Sequence, residues 1–416
     1  MIKILLIEDV VDNIELTRKI LVSAGYEVVH ASEAEAGMEQ AVSEQPDLIL
    51  LDLGLPDYDG QTVAGWLSAD PRTAAIPVVA YTAWPEATAR QMVTSYGCVG
   101  YIPKPILKVT TFLPRLPLFC LPSKNMTLPA DPRIQLVPAS RFTVEQLTTL
   151  YNQTRVDYLV PMPMNAARLA EYIRTYDVDL DHSLVACQGD EVLGLAMLGV
   201  RRDRTWITRL GVLPSTRRHG TGQALMEGLL EQTARLNIKF CMLEVIKDNT
   251  PAHTLFRKMG FREIGELLVL RRSPTLPPPD PVIADAQPLD PVEALDLVGR
   301  NRGTQPWTNQ SETLNNARDV SGLNVMLPDG SHGWLVYQRQ KFTLTRFAYK
   351  TDVGDPPTVA MAFLSHLHYM YPRLDTQLEN IQINDPHLPA LYKAGYVEAF
   401  RRIEMWFGDP PKSLLS

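Results

Sequence analysis

The sequence predicts an α/β protein in three parts: a doubly wound parallel sheet at the front, followed by two α+β units with mixed sheets. In the first hundred residues, apolar strand-like runs alternate with helical segments, which is typical of parallel sheets covered by helices. Further along, a glycine-bearing turn at 217–222 joins a predicted strand to a predicted helix. The last third of the chain repeats the pattern of the middle third.

Composition and charge exclude several classes of function. The 416 residues suffice for about three domains of ~150 residues each. The net charge of −7 argues against a nucleic-acid partner or a membrane surface, and no apolar run approaches the ~18 residues of a membrane span. The N-terminus becomes acidic too early for a signal peptide, and the four cysteines are isolated. We therefore expect a cytoplasmic protein without disulfides or bound zinc.

Reactive side chains follow the strands predicted in residues 1–106. Strands are predicted at 2–7, 26–30, 48–51, 77–82 and 99–102, with helices at 33–44, 60–69 and 85–96 and a helical segment after Asp9. Glu8, Asp9, Asp52, Thr82 and Lys104 lie at strand ends. Parallel sheets gather their sites at the carboxyl ends of the strands, so we predict that these residues share one cleft. Three carboxylates in one cleft repel each other and require a divalent cation such as Mg²⁺.

This set of residues resembles the receiver domain of two-component response regulators, over the whole of residues 1–106. The resemblance implies that Asp52 is the phosphoacceptor and that a sensor histidine kinase or a phosphotransfer protein is the partner. It further implies a magnesium site of Glu8, Asp9, Asp52 and the Gly54 carbonyl, a switch pair of Thr82 and Tyr101, and a phosphate-binding Lys104 before a cis-Pro105. The prolines of 107–132 forbid the helix that usually ends such domains, so we interpret 107–132 as a Pro-rich linker.

The turn Arg217-Arg218-His219-Gly220-Thr221-Gly222 stands between an apolar run at 206–212 and a segment with helical apolar spacing. The first N–H groups of a helix have no partner within it, and glycine lets an anion approach them closely. These six residues alone do not distinguish a turn that binds pyrophosphate from an ordinary strand-to-helix turn.

The elements around this turn give it a more specific interpretation. Strands are predicted at 133–138, 183–188, 192–200, 240–246 and 264–271, with helices starting near Thr143, whose capping box includes Gln146, and at Asn249. This order resembles the GNAT N-acyltransferases, and it places a GNAT domain at 133–272. Two family motifs carry the resemblance: the glycine turn, matched at Arg217, Gly220 and Gly222, and a second motif, matched at Asn249, Ala252, Leu255, Gly260 and Phe261.

The resemblance implies acetyl-CoA as the cosubstrate. Its pyrophosphate would lie on the amides of 217–222, its pantetheine arm would pair with the strand around Leu210 to Val212, and Asn249 and Ala252 would lie further along it. Acyl transfer needs a base for the amine proton, and Glu244 is the candidate, with a surface or ion-paired strand residue as the alternative.

The proton donor departs from the family pattern. Phe256 stands where the family has a tyrosine, and it cannot protonate a leaving thiolate. Tyr158, in a loop rich in Pro and Met, is the substitute candidate for the acid. Arg209 is expected to make a surface contact, with orientation of an anionic substrate group as the alternative.

Beyond a Pro-rich linker at 273–282, residues 283–408 repeat the preceding unit. Thr208-Arg209 has a counterpart in Thr345-Arg346, and the spacing of Glu244 and Asn249 recurs in Glu379 and Asn384. This resembles the C-terminal half of tandem GNAT proteins. Acidic residues and prolines at 351–357 replace the glycine turn, so we predict a degenerate GNAT-like domain that does not bind CoA, packs against the first unit and helps to wall the amine pocket.

Together these parts predict a GNAT-type enzyme: a phosphorylation-responsive N-acetyltransferase that acts on a small-molecule or peptide amine. The alternative is an acyl-CoA sensor, or a scaffold output of a two-component system, that performs no turnover; Phe256 motivates it. Neither a nucleic-acid nor a membrane partner is expected, and a second copy of the chain, giving a homodimer, is a candidate partner.

Overall fold

A computed structural model describes residues 2–415 except 24, 83–95, 97, 105–133, 156–159, 161, 190, 218, 281 and 302–303. Five of the sequence predictions fall outside these residues: most of the helix at 85–96, the cis-Pro105, the linker at 107–132, and the roles of Tyr158 and Arg218.

The front of the chain forms a parallel sheet whose five described strands follow the order β2-β1-β3-β4-β5. The strands are β1 (Lys3–Ile7), β2 (Glu27–Ala31), β3 (Leu48–Asp52), β4 (Val78–Thr82) and β5 (Gly100–Pro103), and the described helices are α1 (Val11–Ser23), α2 (Ala34–Glu44) and α3 (Gly60–Ala69). The apolar runs of β1 and β3 are buried almost throughout, as a sheet covered on both faces requires. The predicted doubly wound domain is confirmed.

The remainder of the chain builds a second sheet, with twelve described strands in the order β12-β13-β14-β15-β16-β11-β17-β10-β9-β8-β7-β6. Its first half contributes β6 (Gln135–Pro138), β7 (Val178–Gln188), β8 (Glu191–Arg201), β9 (Arg204–Val212), β10 (Cys241–Ile246) and β11 (Arg262–Arg272). Its second half contributes β12 (Asp285–Leu289), β13 (Val320–Met326), β14 (His332–Arg339), β15 (Thr343–Val353), β16 (Asp375–Gln382) and β17 (Val397–Phe407). Pairing is parallel between β9 and β10 and between β15 and β16, and antiparallel elsewhere, so the predicted mixed sheet is confirmed.

Helices cover this sheet in both halves. They are α4 (Val144–Gln153), α5 (Ala166–Thr175), α6 (Thr221–Arg235), α7 (Thr250–Lys258), α8 (Pro291–Arg300), α9 (Ser311–Asn316), α10 (Pro356–Met370), α11 (Leu388–Lys393) and α12 (Lys412–Leu415). The capping box predicted at Thr143 and Gln146 begins α4. Helix α5 is absent from the sequence predictions, although the side chain of Asn165 caps it and apolar residues recur along one face.

The two halves of the large sheet exchange their last strands. β11 of the first half pairs with β16 of the second, and β17 of the second half pairs with β10 of the first. Left-handed backbone positions recur at equivalent places, with φ of 54° at Arg209 and 52° at Arg346. The strand order and these conformations agree with an internal repeat, and the two units share one sheet instead of folding side by side. No helix of the described residues is long and apolar enough to cross a membrane.

The parallel domain packs against this large sheet through α3 and the loop before it. Phe342 enters the core of the parallel domain, with its ring centre 5.2 Å from that of Tyr58 and 5.7 Å from that of Trp66. The backbone N–H of Asn165 donates to the carbonyl of Pro56 at 3.0 Å. These contacts bring the segment that follows Asp52 onto the large sheet.

Candidate functional site

The carboxylates predicted to meet at the edge of the parallel sheet do so. Ligand atoms of Glu8, Asp9 and Asp52 all lie within 4.8 Å of one another. Lys104 Nζ lies 2.7 Å from Glu8 Oε2 and 2.7 Å from Asp52 Oδ2. Burial, reinforced by the charges of Asp52 and Glu8, raises the pKa of Asp9 to about 7. Clustered oxygen ligands whose repulsion is only partly offset by one lysine fit a divalent cation such as Mg²⁺.

The other residues expected around Asp52 lie next to this cleft. Thr82 is buried at the end of β4, and its carbonyl accepts from the N–H of Lys104 at 2.8 Å. Tyr101 lies on β5, partly buried against the core of the domain. The backbone N–H of Gly54 donates to Asp52 Oδ1 at 2.9 Å, which places the loop after β3 directly beside the carboxylate.

A cavity of about 720 Å³ lies where the three parts of the chain meet. The first half of the large sheet contributes residues predicted for the cosubstrate and the chemistry, namely Leu210, Glu244, Asn249, Ala252 and Phe256. The second half contributes residues such as Arg346 and Glu379, in agreement with its expected role as a wall. The parallel domain contributes Asp57, Tyr58, Asp59 and Thr62, which no sequence signal pointed to because their position depends on domain packing.

Strands β9 and β10 separate inside this cavity. They pair only at Thr205 with Cys241 and at Trp206 with Met242, although both strands continue beyond these residues. The pairing of β9 with β8 is irregular in the same region. Two parallel strands that diverge leave a cleft lined by unpaired backbone, and Leu210 and Glu244 line it from either side.

The glycine turn lies outside the cavity lining, at the start of α6. Gly220 is the N-cap with φ of 85°, a conformation that glycine adopts readily, and no side chain caps this 15-residue helix. The side chain of Arg217 anchors the turn to its neighbours: its Nε donates to the Val212 carbonyl at 3.2 Å and its Nη2 to the Thr154 carbonyl at 3.2 Å. His219 is exposed, and Thr221 is buried in the first turn.

The second half differs at the equivalent helix start. Asp355 caps α10, and its carboxylate accepts from the backbone N–H of Thr358 at 3.0 Å. Pro356 and Pro357 follow, and neither has an N–H to offer. An anion would meet a carboxylate here instead of free amides.

Glu244 has the environment of a buried base. Trp206 Nε1 donates to its Oε2 at 2.7 Å, whereas its Oε1 is buried without a hydrogen-bond partner among the described residues. Burial raises the pKa of Glu244 to about 6, and the charge of Arg402 opposes this rise only in part. The carboxylate makes no ion pair with a described residue, so the ion-paired alternative finds no support.

Phe256 offers no proton at this site. Its ring is buried and lies 6.3 Å from that of Phe261 in the core under α6 and α7. Tryptophans of the second half also serve as core: Trp307 is fully buried and stacks on Trp206 at 5.6 Å between ring centres, and Trp334 is buried as well.

The surface contact expected for Arg209 is wrong. Its side chain lines the cavity, where Nη1 donates to the hydroxyl of Tyr151 at 3.0 Å and the guanidinium lies 4.2 Å from the ring centre of Tyr172. The cause is the left-handed backbone at Arg209, which interrupts the alternation of side chains that the sequence pattern assumes.

Comparison with known proteins agrees with a receiver domain at the front of the chain and an acetyltransferase-type domain after it. Residues 4–112 match the response regulator receiver domain, and residues 146–261 match the acetyltransferase (GNAT) family. Over 103 residues, the chain is 34% identical to the polar-differentiation response regulator DivK of Brucella anthropi, a match that covers 25% of this chain and 84% of that protein. The solved structure of a GCN5-related N-acetyltransferase from Sphaerobacter thermophilus covers 68% of this chain and 98% of that chain, with a TM-score of 0.52 and 16% identity, which is a likeness of fold.

These matches define a protein that joins a signalling domain to an acetyltransferase-type domain. The chain belongs to the response regulators through its receiver domain, and the domain that follows matches the acetyltransferase (GNAT) family over residues 146–261.

Proposed function

We propose that this protein transfers an acetyl group from acetyl-CoA to an amine, and that phosphorylation of Asp52 controls the transfer. The observation that carries the proposal is the shared cavity, because Asp59 and Thr62 of the receiver and the candidate base Glu244 all line it. A receiver that walls the pocket of an acetyltransferase domain has a direct physical means of changing what the pocket binds.

The cosubstrate would extend from the glycine turn into the cleft between β9 and β10. The free N–H groups at the start of α6 and the positive end of its dipole suit a pyrophosphate, and Gly220 brings no side chain into its path. The pantetheine arm would lie along the separated part of β9 near Leu210, with Asn249 and Ala252 across the cleft. The capped start of α10 supports a single acyl-CoA site in the first half.

A matched pair of substitutions tests the glycine turn. Asp and Asn both tolerate a left-handed backbone and differ only in charge at position 220. We expect Gly220→Asp to bind CoA roughly tenfold more weakly than Gly220→Asn, about 1.4 kcal/mol, because a carboxylate at the helix start repels the pyrophosphate. Calorimetric titration with CoA measures both dissociation constants, and equal values would remove the turn from the cosubstrate site.

Glu244 is the proposed base for the transfer. It would accept a proton from the amine as the nitrogen attacks the thioester carbonyl; the C–N bond forms, the C–S bond breaks, and CoA leaves as a thiolate. A carboxylate with a pKa of about 6 is mostly ionised at neutral pH and is still basic enough to take this proton. Phe256 cannot protonate the thiolate, so we propose that water does so, since thiols have pKa values near 8.5.

The receiver contributes its own chemistry at Asp52. Mg²⁺, when held by Glu8, Asp9 and Asp52, supplies positive charge that offsets the charge of an incoming phosphoryl group. The Asp52 carboxylate would attack the phosphorus of a phosphohistidine on the partner; the O–P bond forms, the P–N bond breaks and the histidine leaves, and Lys104 is placed to contact the phosphoryl oxygens. The partner would be a sensor histidine kinase or a phosphotransfer protein.

Contacts connect Asp52 to the cavity over a short distance. A Cβ on Gly60 would lie 2.3 Å from the carbonyl oxygen of Asp52, so the start of α3 packs directly on the phosphoacceptor. One residue earlier, Asp59 forms an ion pair with Arg271 of the large sheet at 2.8 Å, and Thr62 accepts from Arg271 Nη2 at 2.9 Å. A movement of the loop after Asp52 would therefore move a wall of the cavity.

Phosphorylation should change how the amine binds. We expect treatment with phosphoramidate and Mg²⁺ to shift the KM for the amine at least fivefold in the wild-type protein, the lower end of typical coupling between sites. In Asp52→Asn the same treatment should leave KM unchanged, since the acceptor carboxylate is gone. Release of CoA thiol measures the rates. An equal KM before and after verified phosphorylation would contradict the control by the receiver while leaving the acetyltransferase proposal intact.

An acyl-CoA sensor without turnover is the second candidate, and Phe256 favours it. Tight acetyl-CoA binding without an acetylated product across several amine classes would support the sensor. A cytoplasmic location and pairing with a second copy of the chain stay predictions.

A further inference from the structure

Two arginines reach the cavity from equivalent positions in the two halves of the large sheet. Arg209 on β9 and Arg346 on β15 both have left-handed backbones, with φ of 54° and 52°. Each lies where its strand pairs irregularly with a neighbour, and both line the cavity. Left-handed conformations are costly for residues with a Cβ, and bulges of this kind re-aim side chains beside functional sites.

The two guanidinium groups rest on adjacent tyrosines. Arg209 lies 4.2 Å from the ring centre of Tyr172, Arg346 lies 5.3 Å from that of Tyr176, and the two rings are 4.7 Å apart. The tyrosines are four residues apart, so they share one face of the helical segment at α5. Aromatic faces attract cations, and here they hold two positive groups near each other.

Neither guanidinium is neutralised in full by the described residues. Arg209 forms no ion pair with a described residue, although the charge of nearby Glu379 acts on it; its polar contacts are with the hydroxyl of Tyr151 and the sulfur of Met162. Among the described residues, Arg346 has one ion pair, a long one of 3.8 Å to Glu171, besides polar contacts with Gln338 and Tyr176 and the charge of nearby Glu379. The Nε of each arginine is buried without a hydrogen-bond acceptor among the described residues. Buried donors without acceptors are rare because they cost free energy, and a ligand that accepts from them removes that cost.

A third arginine of the cavity provides an internal contrast. Arg402 donates to Glu379 at 3.0 Å and to Asn380 at 2.8 Å, so its charge is already paired. Arg209 and Arg346 share the charge of Glu379 with Arg402, but neither forms an ion pair with it.

The candidate base lies beside the same aromatic cluster. The ring of Trp206, which holds Glu244 through its N–H, lies 6.2 Å from the ring of Tyr172 and 5.8 Å from that of Tyr176. An amine at Glu244 and an anionic group at the two arginines would lie on either side of these rings.

We infer that the acceptor of the acetyl group is an amine that also carries a carboxylate, and that Arg209 and Arg346 bind this carboxylate. The inference rests on the proposed function, because it names the substrate class of the same cavity. Arginine pairs suit a carboxylate because each planar guanidinium donates two parallel hydrogen bonds to its oxygens. The substrate class is thus amino acids and related amino carboxylates, in preference to neutral amines.

Matched probes test the inference on the full chain. Glycine, β-alanine, lysine and glutamate are each compared with the corresponding amide of the carboxylate, with acetyl-CoA as donor and CoA thiol release as readout. We expect wild-type KM values to be roughly ten- to a hundredfold lower for one or more of the acids than for the matching amides. Arg209→Gln and Arg346→Gln should each remove most of this preference by raising KM for the acid, with a smaller change in kcat and in KM for the amide.

Controls separate a binding role from a structural one. Arg339→Gln changes an exposed arginine that also lies over a tyrosine, Tyr371, but does not line the cavity, and it should keep the preference. Arg209→Lys retains a positive charge and should keep part of the preference for acids over amides. Equal KM values for acids and amides in the wild type, or a preference for phosphorylated amines, would overturn the inference.

The inference and the proposed function fail in distinguishable ways. If no amine is acetylated, the proposed function fails, and calorimetric binding of the same acid and amide pairs then decides the inference. If the acids bind more tightly than the matching amides, and Arg209→Gln removes this difference, the result supports the carboxylate site even without turnover. Equal binding of acids and amides refutes it.

Discussion

Glu244→Gln is expected to lower kcat by roughly 10²- to 10⁴-fold, the usual contribution of a positioned general base. Glutamine keeps the shape of the side chain and can still accept from Trp206 Nε1, so the loss would report the missing base and not a rearranged site. The rate of CoA thiol release under saturating substrates measures kcat. A fall of less than tenfold would remove Glu244 from the chemistry.

Glu404→Gln is the matched control for this substitution. Glu404 lies directly opposite Glu244 on β17, is equally surrounded by the sheet, and accepts from a tryptophan, Trp406, at 3.1 Å. It does not line the cavity. Its replacement should leave kcat within about threefold of the wild type.

The pH profile distinguishes the two glutamates. Burial raises the pKa of Glu244 to about 6, and a base works only when ionised, so kcat at saturating amine should show a limb that rises from pH 5 to 7. Burial raises the pKa of Glu404 to about 7. If the rise between pH 5 and 7 persisted in Glu244→Gln and disappeared in Glu404→Gln, Glu404 and not Glu244 would be the base.

Arg271→Met is expected to lower the free energy of unfolding by about 3–5 kcal/mol, the usual cost of removing one partner from a buried charge network. Arg271 lies on β11 and is buried between the receiver and the large sheet, where it forms ion pairs with Asp59 and Asp375 and donates to Gln61. Without it, two carboxylates would remain in a site shielded from water. Urea denaturation followed by circular dichroism measures the change.

Two comparisons make this expectation specific. Arg262→Met alters an exposed arginine at the start of the same strand and should change stability by less than about 1 kcal/mol. Adding Asp375→Asn to Arg271→Met removes one of the stranded charges and should recover part of the loss. Hydrogen exchange of α3 should quicken in Arg271→Met, because the network holds that helix to the sheet. Unchanged exchange and stability would mean that the network does not join the domains.

The receiver site could be predicted from local patterns in the sequence. Asp52 and Lys104 follow apolar strands, and parallel strands bring their carboxyl ends to one edge whatever the loops do. The glycine turn was also local, since Gly220 and the first turn of α6 are neighbours in sequence. The candidate base was partly predictable: Glu244 was chosen because it lies on the strand before Asn249, as in some GNAT proteins, but its contact with Trp206 depends on how β9 and β10 diverge.

The features that the sequence did not predict depend on contacts between residues that are far apart in the chain. Arg271 meets Asp375 and Gln61 across 104 and 210 residues, and no periodicity encodes such contacts. Strands β11 and β17 are equal in length and similar in their mixture of apolar and charged residues, so the sequence cannot say which half each completes. Arg209 was misplaced because a single left-handed residue shifts the face of a strand.

The sequence by itself determined the receiver domain, the resemblance to GNAT proteins, the carboxylate cleft and the glycine turn, because each depends on residues that are close along the chain or on the fixed polarity of parallel strands. Only the tertiary structure decided that the receiver, through Asp59 and Thr62, lines the same cavity as Glu244, and that Arg209 and Arg346 face that cavity together. The physical reason is that burial of apolar surface is not directional. Hydrophobic patterning specifies that the domains pack, while shape and paired charges between distant residues select the faces that meet.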